Sequence, residues 1–231
     1  MSEIPLFRKA TYSASVANPS DPCPRSVAEI AFAGRSNAGK SSVINTLAGQ
    51  RRLAFVSKRP GRTQMINFFS LGEDRYLVDL PGYGFAAAPE SVRSGWDRLL
   101  SEYLRHREAL KGIALIMDIR HPFTELDLQL MDFFGRTGKP VHVLLTKADK
   151  LSRTNADAVL REANGMLAQI SPRHSAQLFS SLKRQGLDEA HKVFSRWLGV
   201  DAAIGRRPAG KPRVNLATRG GGNKKPRAKG G

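Results

Sequence analysis

The sequence predicts an α/β fold, a mostly parallel six-stranded sheet with helices on both faces. From about residue 27 to residue 199, short apolar runs alternate with apolar residues at helical spacing, the pattern of a sheet covered on both sides. Residues 112–119 and 141–146 are continuous apolar runs, as strands buried on both faces require. A glycine-rich turn joins the first run to the first helix, which places a ligand site at the carboxyl ends of the strands.

Residues 1–26 read as an N-terminal extension with few periodic apolar positions. Within them Asn18-Pro19-Ser20-Asp21-Pro22-Cys23-Pro24 reads as an exposed, turn-rich loop. The domain itself is expected to span 27–199. Its six strands are predicted at 28–33, 66–71, 75–80, 112–119, 141–146 and 176–179. Helices are predicted at 40–47, 156–170 and 187–198. Two more follow from helical spacing, one through Trp96, Leu99, Leu100, Tyr103 and Leu104, the other through Leu126, Leu130, Phe133 and Phe134. The aromatic residues among these, with Trp197, are expected in the core. Beyond Leu198 the pattern stops. Residues 200–231 are a basic tail rich in Gly, Pro, Lys and Arg; such a segment cannot bury enough apolar surface to offset its ordering entropy and is expected to be disordered.

Charge and composition narrow the function classes. The 231-residue chain carries a formal net charge of +17, which points to a polyanionic partner such as nucleic acid. Nine Lys and Arg and no acid lie between Ala202 and Gly231, so residues 1–201 still carry +8. No run approaches the roughly 20 apolar residues that span a bilayer, so membrane insertion is not expected. Residues 1–5 lack the basic and apolar stretches of a secretory signal. A single cysteine, Cys23, allows no intramolecular disulfide, and the five histidines have no ligand spacing. Cytoplasm is the expected compartment.

The segment Gly34-Arg35-Ser36-Asn37-Ala38-Gly39-Lys40-Ser41 fits G-x-x-x-x-G-K-[ST], after a strand and before a helix as that P-loop template requires. Its glycines let the backbone wrap round phosphates, and successive N–H groups at a helix N-terminus attract their charge. Lys40 would reach the β- and γ-phosphates, and the Ser41 hydroxyl would bind Mg²⁺. Asp79-Leu80-Pro81-Gly82 closes a strand, as expected of an aspartate that supports Mg²⁺ from behind its direct ligands. The Gly82 N–H is then placed to sense the γ-phosphate. Thr146-Lys147-Ala148-Asp149 closes the run 141–146. A carboxylate there accepts both N1–H and N2–H₂ of guanine, donors that adenine does not offer in that arrangement. Lys147 can lie along the base and hold the loop. Ser180-Ser181-Leu182-Lys183, after the last strand, suits a backbone contact to the guanine O6, and Phe179 at that strand's end is counted with Ser180 and Ser181 in the nucleotide site. Thr63, in the basic loop Pro60-Gly61-Arg62-Thr63-Gln64, can join the Mg²⁺ shell when a γ-phosphate is present, which makes that loop a switch; Gly61, Arg62, Thr63, Gln64 and Met65 are expected to contact the nucleotide.

The order GRSNAGKS, PGRTQ, DLPGYG, TKAD and SSLK resembles the EngB/YsxC family of bacterial GTPases, related to translation factors and near Era and the tRNA-modification GTPases. The likeness runs from about residue 5 to residue 199 and leaves the tail outside. It implies a Ras-like fold, Mg²⁺-dependent GTP binding and a role in assembling the large ribosomal subunit. It also implies a requirement for normal cell division and septation. The basic tail and the positive charge of the core suit rRNA as the partner, and a monomer that binds GTP and GDP is expected.

Catalysis of phosphoryl transfer is mainly positioning and charge neutralisation, here assigned to Lys40, Thr63 and Gly82. Ras-type enzymes follow the D-x-x-G glycine with a glutamine, whereas this chain has Tyr83, so slow intrinsic turnover is expected. GTPases that resemble this one can use an asparagine at the position of Asn37 to bind K⁺ beside the phosphates; otherwise Asn37 only stabilises the loop. Two other readings share these residues. One is an RNA-binding scaffold stabilised by nucleotide, with negligible turnover. The other is a P-loop ATPase, against which Thr146 to Asp149 argue.

Overall fold

The computed structural model describes residues 5–54, 65–83 and 90–200, with the side chains of Pro5 and 90–97 excepted. The expectations for Thr63, for the Trp96 ring and for the tail therefore lie outside the described residues. A short helix α1 (Pro5–Arg8) precedes β1 (Thr11–Val16), β2 (Ala28–Gly34) and α2 (Lys40–Leu47). Strands β3 (Ile66–Gly72) and β4 (Arg75–Asp79), helix α3 (Glu90–His106), β5 (Leu110–Asp118) and α4 (Glu125–Arg136) follow. The chain continues through β6 (Val141–Thr146), α5 (Arg153–Ile170), β7 (Ser175–Leu178) and α6 (Leu187–Trp197).

One sheet holds seven strands in the order β1-β3-β4-β2-β5-β6-β7, which corrects the expected six. The additional strand, β1, pairs antiparallel with β3 from Thr11↔Ser70 to Val16↔Ile66. It joins the edge through backbone hydrogen bonds while only Val16 is buried, and a bulge between Tyr12 and Ala14 breaks its alternation. An edge strand with so little burial leaves no apolar period in the sequence. From β4 to β7 every pairing is parallel; β3 runs against β4.

Alternate residues of the central strands face two cores. Ala31, Ala33, Leu115, Met117, Val143 and Leu145 pack with Leu104, Phe134 and Leu167 beneath α3, α4 and α5. Ile30, Phe32, Ala114, Ile116 and Leu144 pack with Val43, Leu47, Phe194 and, from α1, Phe7 on the other side. Every residue of β2 is buried, so this strand is fixed from both faces. Its N-terminal end carries the fully buried Glu29, which accepts hydrogen bonds from the Tyr103 hydroxyl (2.8 Å) and the Arg107 guanidinium. A buried carboxylate is tolerated only when paired and hydrogen-bonded, and here it ties the end of α3 to the sheet. Its opposite end opens into the turn that begins at Gly34, beside β5, where the strand order reverses.

Candidate functional site

The turn from β2 into α2 is held in one shape by its backbone. Gly39, the residue before α2, adopts φ +103°, and Asn37 adopts φ +65°. Glycine takes such angles without cost, and asparagine is among the side chains that tolerate them best. Gly34 has no room for a side chain, since a Cβ there would lie 2.8 Å from the Ile116 carbonyl oxygen. Arg35, Ser36, Asn37 and Ala38 form the turn, Lys40 and Ser41 open α2, and the Lys40 ammonium is ion-paired with the Asp79 carboxylate at the end of β4. The structure thus brings together the sequence-predicted cation and the acid from β4.

The next segment docks on this turn. Tyr83 N donates to Gly34 O (3.3 Å), and Ser36 N donates to Tyr83 O (3.2 Å). Gly82 lies between these bonds and Leu80–Pro81, and a Cβ on it would sit 3.3 Å from Ser36 Oγ. The Tyr83 phenol points into the protein and donates to Asp127 Oδ1 at 2.6 Å. Burial first, then this hydrogen bond, pushes the phenol far above its ordinary pKa, so it is a neutral donor. Its partner Asp127 belongs to α4, not to the turn.

A third segment arrives from β6. The Thr146 hydroxyl lies 2.6 Å from Ala38 O and 3.0 Å from Met117 O. Lys147, at φ +58°, sends its ammonium 2.9 Å from Asn37 O and 2.9 Å from Asp118 Oδ2. Ala148 N donates to Phe179 O (3.2 Å), and the Asp149 carboxylate accepts from the Ser180 hydroxyl. Ser180 is itself buried, bonded through both backbone groups to Gln185. Ser181 is half-buried and Leu182 beyond it is 74% exposed. The loops after β2, β6 and β7 therefore form one hydrogen-bonded rim that can hold phosphates at one end and a base at the other. Met65 is exposed before β3, while Gly61, Arg62, Thr63 and Gln64 lie outside the described residues. The described segment that ends at Ala54 is held by Asn45 of α2, whose amide bonds both the N–H (2.7 Å) and the carbonyl (2.9 Å) of Ala54.

Sequence reasoning passed over two acids beside the rim. Asp118, at the end of β5, is bridged by Arg120 (2.7 Å) as well as Lys147. Burial alone would raise its carboxyl, but the donors of Arg120 and Lys147 outweigh it and hold the group well below the usual carboxylate range. The second is Asp127, in the first turn of α4. A cavity of ≈ 190 Å³ opens behind the phosphate turn, and Arg35, Asn37, His121 and Lys147 line it along with both acids. An acid ending the apolar run 112–117 was the signal available for Asp118.

The comparisons with known proteins agree with this geometry. A family model described as "50S ribosome-binding GTPase" matches residues 29–147. The probable GTP-binding protein EngB of Azoarcus sp. (strain BH72) is 58% identical over 208 residues, covering 90% of this chain and 100% of that protein. The protein of the same name from Dechloromonas aromatica is 54% identical over 200 residues, covering 86% of this chain and 91% of its own. A crystal structure of a probable GTP-binding protein engB superposes with a TM-score of 0.59 at 21% identity, over 74% of this chain and 99% of that one; at that identity it shows the Ras-like fold alone. By sequence, fold and phosphate turn together, the chain belongs to the EngB family of GTP-binding P-loop GTPases.

Proposed function

We propose that the protein is a Mg²⁺-dependent nucleotide switch in the assembly of the large ribosomal subunit, on which normal cell division and septation depend. The observation that carries this reading is the junction of Thr146 and Lys147 with Ala38 and Asn37. It sets the Asp149 carboxylate at a fixed offset from the phosphate turn, which a guanine nucleotide can span. Asp149 reads the base, with Phe179, Ser180 and Ser181 beside the O6. Gly34 to Ser41 cradle the phosphates.

The oxygen donors suit Mg²⁺, which takes one or two protein ligands together with substrate phosphates. Ser41 and Thr63 would hold it directly and Asp79 from behind. The ion supplies charge neutralisation at the phosphates; Lys40 adds a second cation, and the Gly82 N–H reads the γ-phosphate. Asn37 is a candidate K⁺ ligand beside them. The buried Tyr83 phenol offers no group to orient water, which supports slow turnover by the isolated protein. The family model's description and the net charge of +17 support an rRNA-containing partner; the proposed form of the protein is a cytoplasmic monomer.

Co-sedimentation of the full chain with large ribosomal subunits tests the switch. Occupancy with a GTP analogue is expected to differ from that with GDP by about fivefold or more, the low end of coupling between two sites. Equal occupancy in the GTP-analogue, GDP and empty states would make the protein an RNA-binding scaffold instead.

A further inference from the structure

We propose that Asp127 is a positioning residue for γ-phosphate recognition, acting through Tyr83 on the Gly82 backbone. The inference rests on the guanine-nucleotide reading above and adds to it a residue on α4 that touches no nucleotide.

Three observations carry it. First, both oxygens of the Asp127 carboxylate are engaged. Oδ1 accepts from the Tyr83 hydroxyl at 2.6 Å, while Oδ2 accepts from Thr124 N (2.9 Å) and Thr124 Oγ1 (2.8 Å). Asp127 is only 2% exposed, and it sits in the first turn of α4, where the helix dipole favours a negative charge. It cannot swing without uncapping that helix.

Second, the Tyr83 backbone is joined to the phosphate turn on both sides, through Gly34 O and Ser36 N. A ring fixed at its hydroxyl and a backbone fixed at both polar groups hold the Gly82–Tyr83 peptide and with it the Gly82 Cα. The Gly82 N–H lies one peptide earlier and turns about that Cα. Third, Gly82 lies close over the turn: a Cβ built on it would be 3.3 Å from Ser36 Oγ and 3.6 Å from both Gly34 O and Ser36 N.

A packing role alone does not account for this arrangement. The Tyr83 ring lies in the apolar cluster under α3 and α4 with Leu80, Leu115 and Met131, where phenylalanine would fill the same space. Asp127 Oδ2 caps α4 through Thr124; what Oδ1 adds is direction, because a hydrogen bond to a fixed acceptor sets where the Tyr83 ring ends. The bond thus sets the height of the Gly82 N–H above the phosphate turn. GTP meets that N–H and GDP does not.

The test is a double-mutant cycle on the full chain with Tyr83→Phe, Asp127→Asn and the double variant. Affinities for fluorescent GDP and for a non-hydrolysable GTP analogue are measured for each. The charge-assisted bond is expected to be worth about tenfold in GTP-analogue affinity when lost, with GDP affinity within about twofold of wild type. Asp127→Asn, which keeps an oxygen acceptor, should lose less, and it should add nothing in the Tyr83→Phe background. A parallel fall in GDP and GTP-analogue affinity, or an unchanged ratio in both single variants, would overturn the inference. GDP binding itself reports that each variant is folded, and the Asp127→Asn arm stands where Tyr83→Phe does not fold. A wild-type chain that binds neither nucleotide sinks the guanine-nucleotide reading and this inference with it. A wild type that binds both, with the ratio unmoved in the variants, sinks this inference alone.

Discussion

The hydroxyl of Thr146 lies 2.6 Å from the carbonyl oxygen of Ala38, so the strand that ends at Thr146 is bonded directly to the turn between β2 and α2. The same hydroxyl is 3.0 Å from Met117 O on the strand between them. Replacing it with the isosteric Val removes the donor and keeps the shape. Thr146→Val is expected to destabilise the fold by about 1–2 kcal/mol, the cost of leaving buried acceptors unpaired, and to weaken GDP binding in addition. Denaturant midpoints and GDP titrations on the same samples check both; a loss of stability with unchanged GDP affinity would show that the junction does not position the site.

Asp118 makes stability depend on acid. Its folded-state carboxyl is held below the usual range by Arg120 and Lys147, so its contribution is fully present above the unfolded carboxyl pKa of about 3.9 and is lost as pH falls towards the folded value. Asp118→Asn should therefore be less stable than wild type at pH 7, with a gap that is constant down to about pH 4.5 and narrows by pH 3. Unfolding curves across that range decide it. A gap that does not change with pH contradicts the assignment.

Gly112 on β5 faces the indole of Trp197 on α6, and a Cβ there would lie 2.4 Å from the ring. The close approach lets α6 lie flat on the sheet. Gly112→Ala should cost about 1–3 kcal/mol by overpacking, visible as a lower melting temperature, because the rigid ring has to shift. An unchanged melting temperature would mean that the ring moves away freely.

Much of this molecule was legible in its sequence, and the exceptions share a cause. Gly34 to Ser41 and Thr146 to Asp149 are read locally, since strand, turn and helix follow one another along the chain. The Tyr83–Asp127 bond joins residues 44 positions apart, and no local pattern announces such a pairing. Tyr83 was readable as a departure from glutamine, but the direction of its phenol comes only from α4 packing over β5. Strand β1 escaped for the opposite reason: it is held by backbone hydrogen bonds, which carry no residue signature. The strand expected at 112–119, observed at Leu110–Asp118, was legible because nearly all of its residues are buried.

Asn37 presents its carbonyl to Lys147 and keeps an exposed residue position at the turn. With K⁺ bound beside the phosphates through Asn37, single-turnover GTP hydrolysis should run faster in K⁺ than in Na⁺ at equal ionic strength, and Asn37→Ala should abolish the difference. Identical rates in the two salts would leave Asn37 with a role in loop conformation alone.

The central claim, that Asp149 held at the phosphate turn makes this a guanine-nucleotide protein, is tested most directly by Asp149→Asn. An amide cannot accept both guanine donors, but it can donate to the 2-oxo group of xanthine. GDP affinity should fall by about 2 kcal/mol or more, roughly thirtyfold, as for loss of a hydrogen bond to a charged group, while xanthosine diphosphate comes to bind more tightly than GDP. A variant that still prefers GDP over xanthosine diphosphate, with wild-type affinity, would contradict the account.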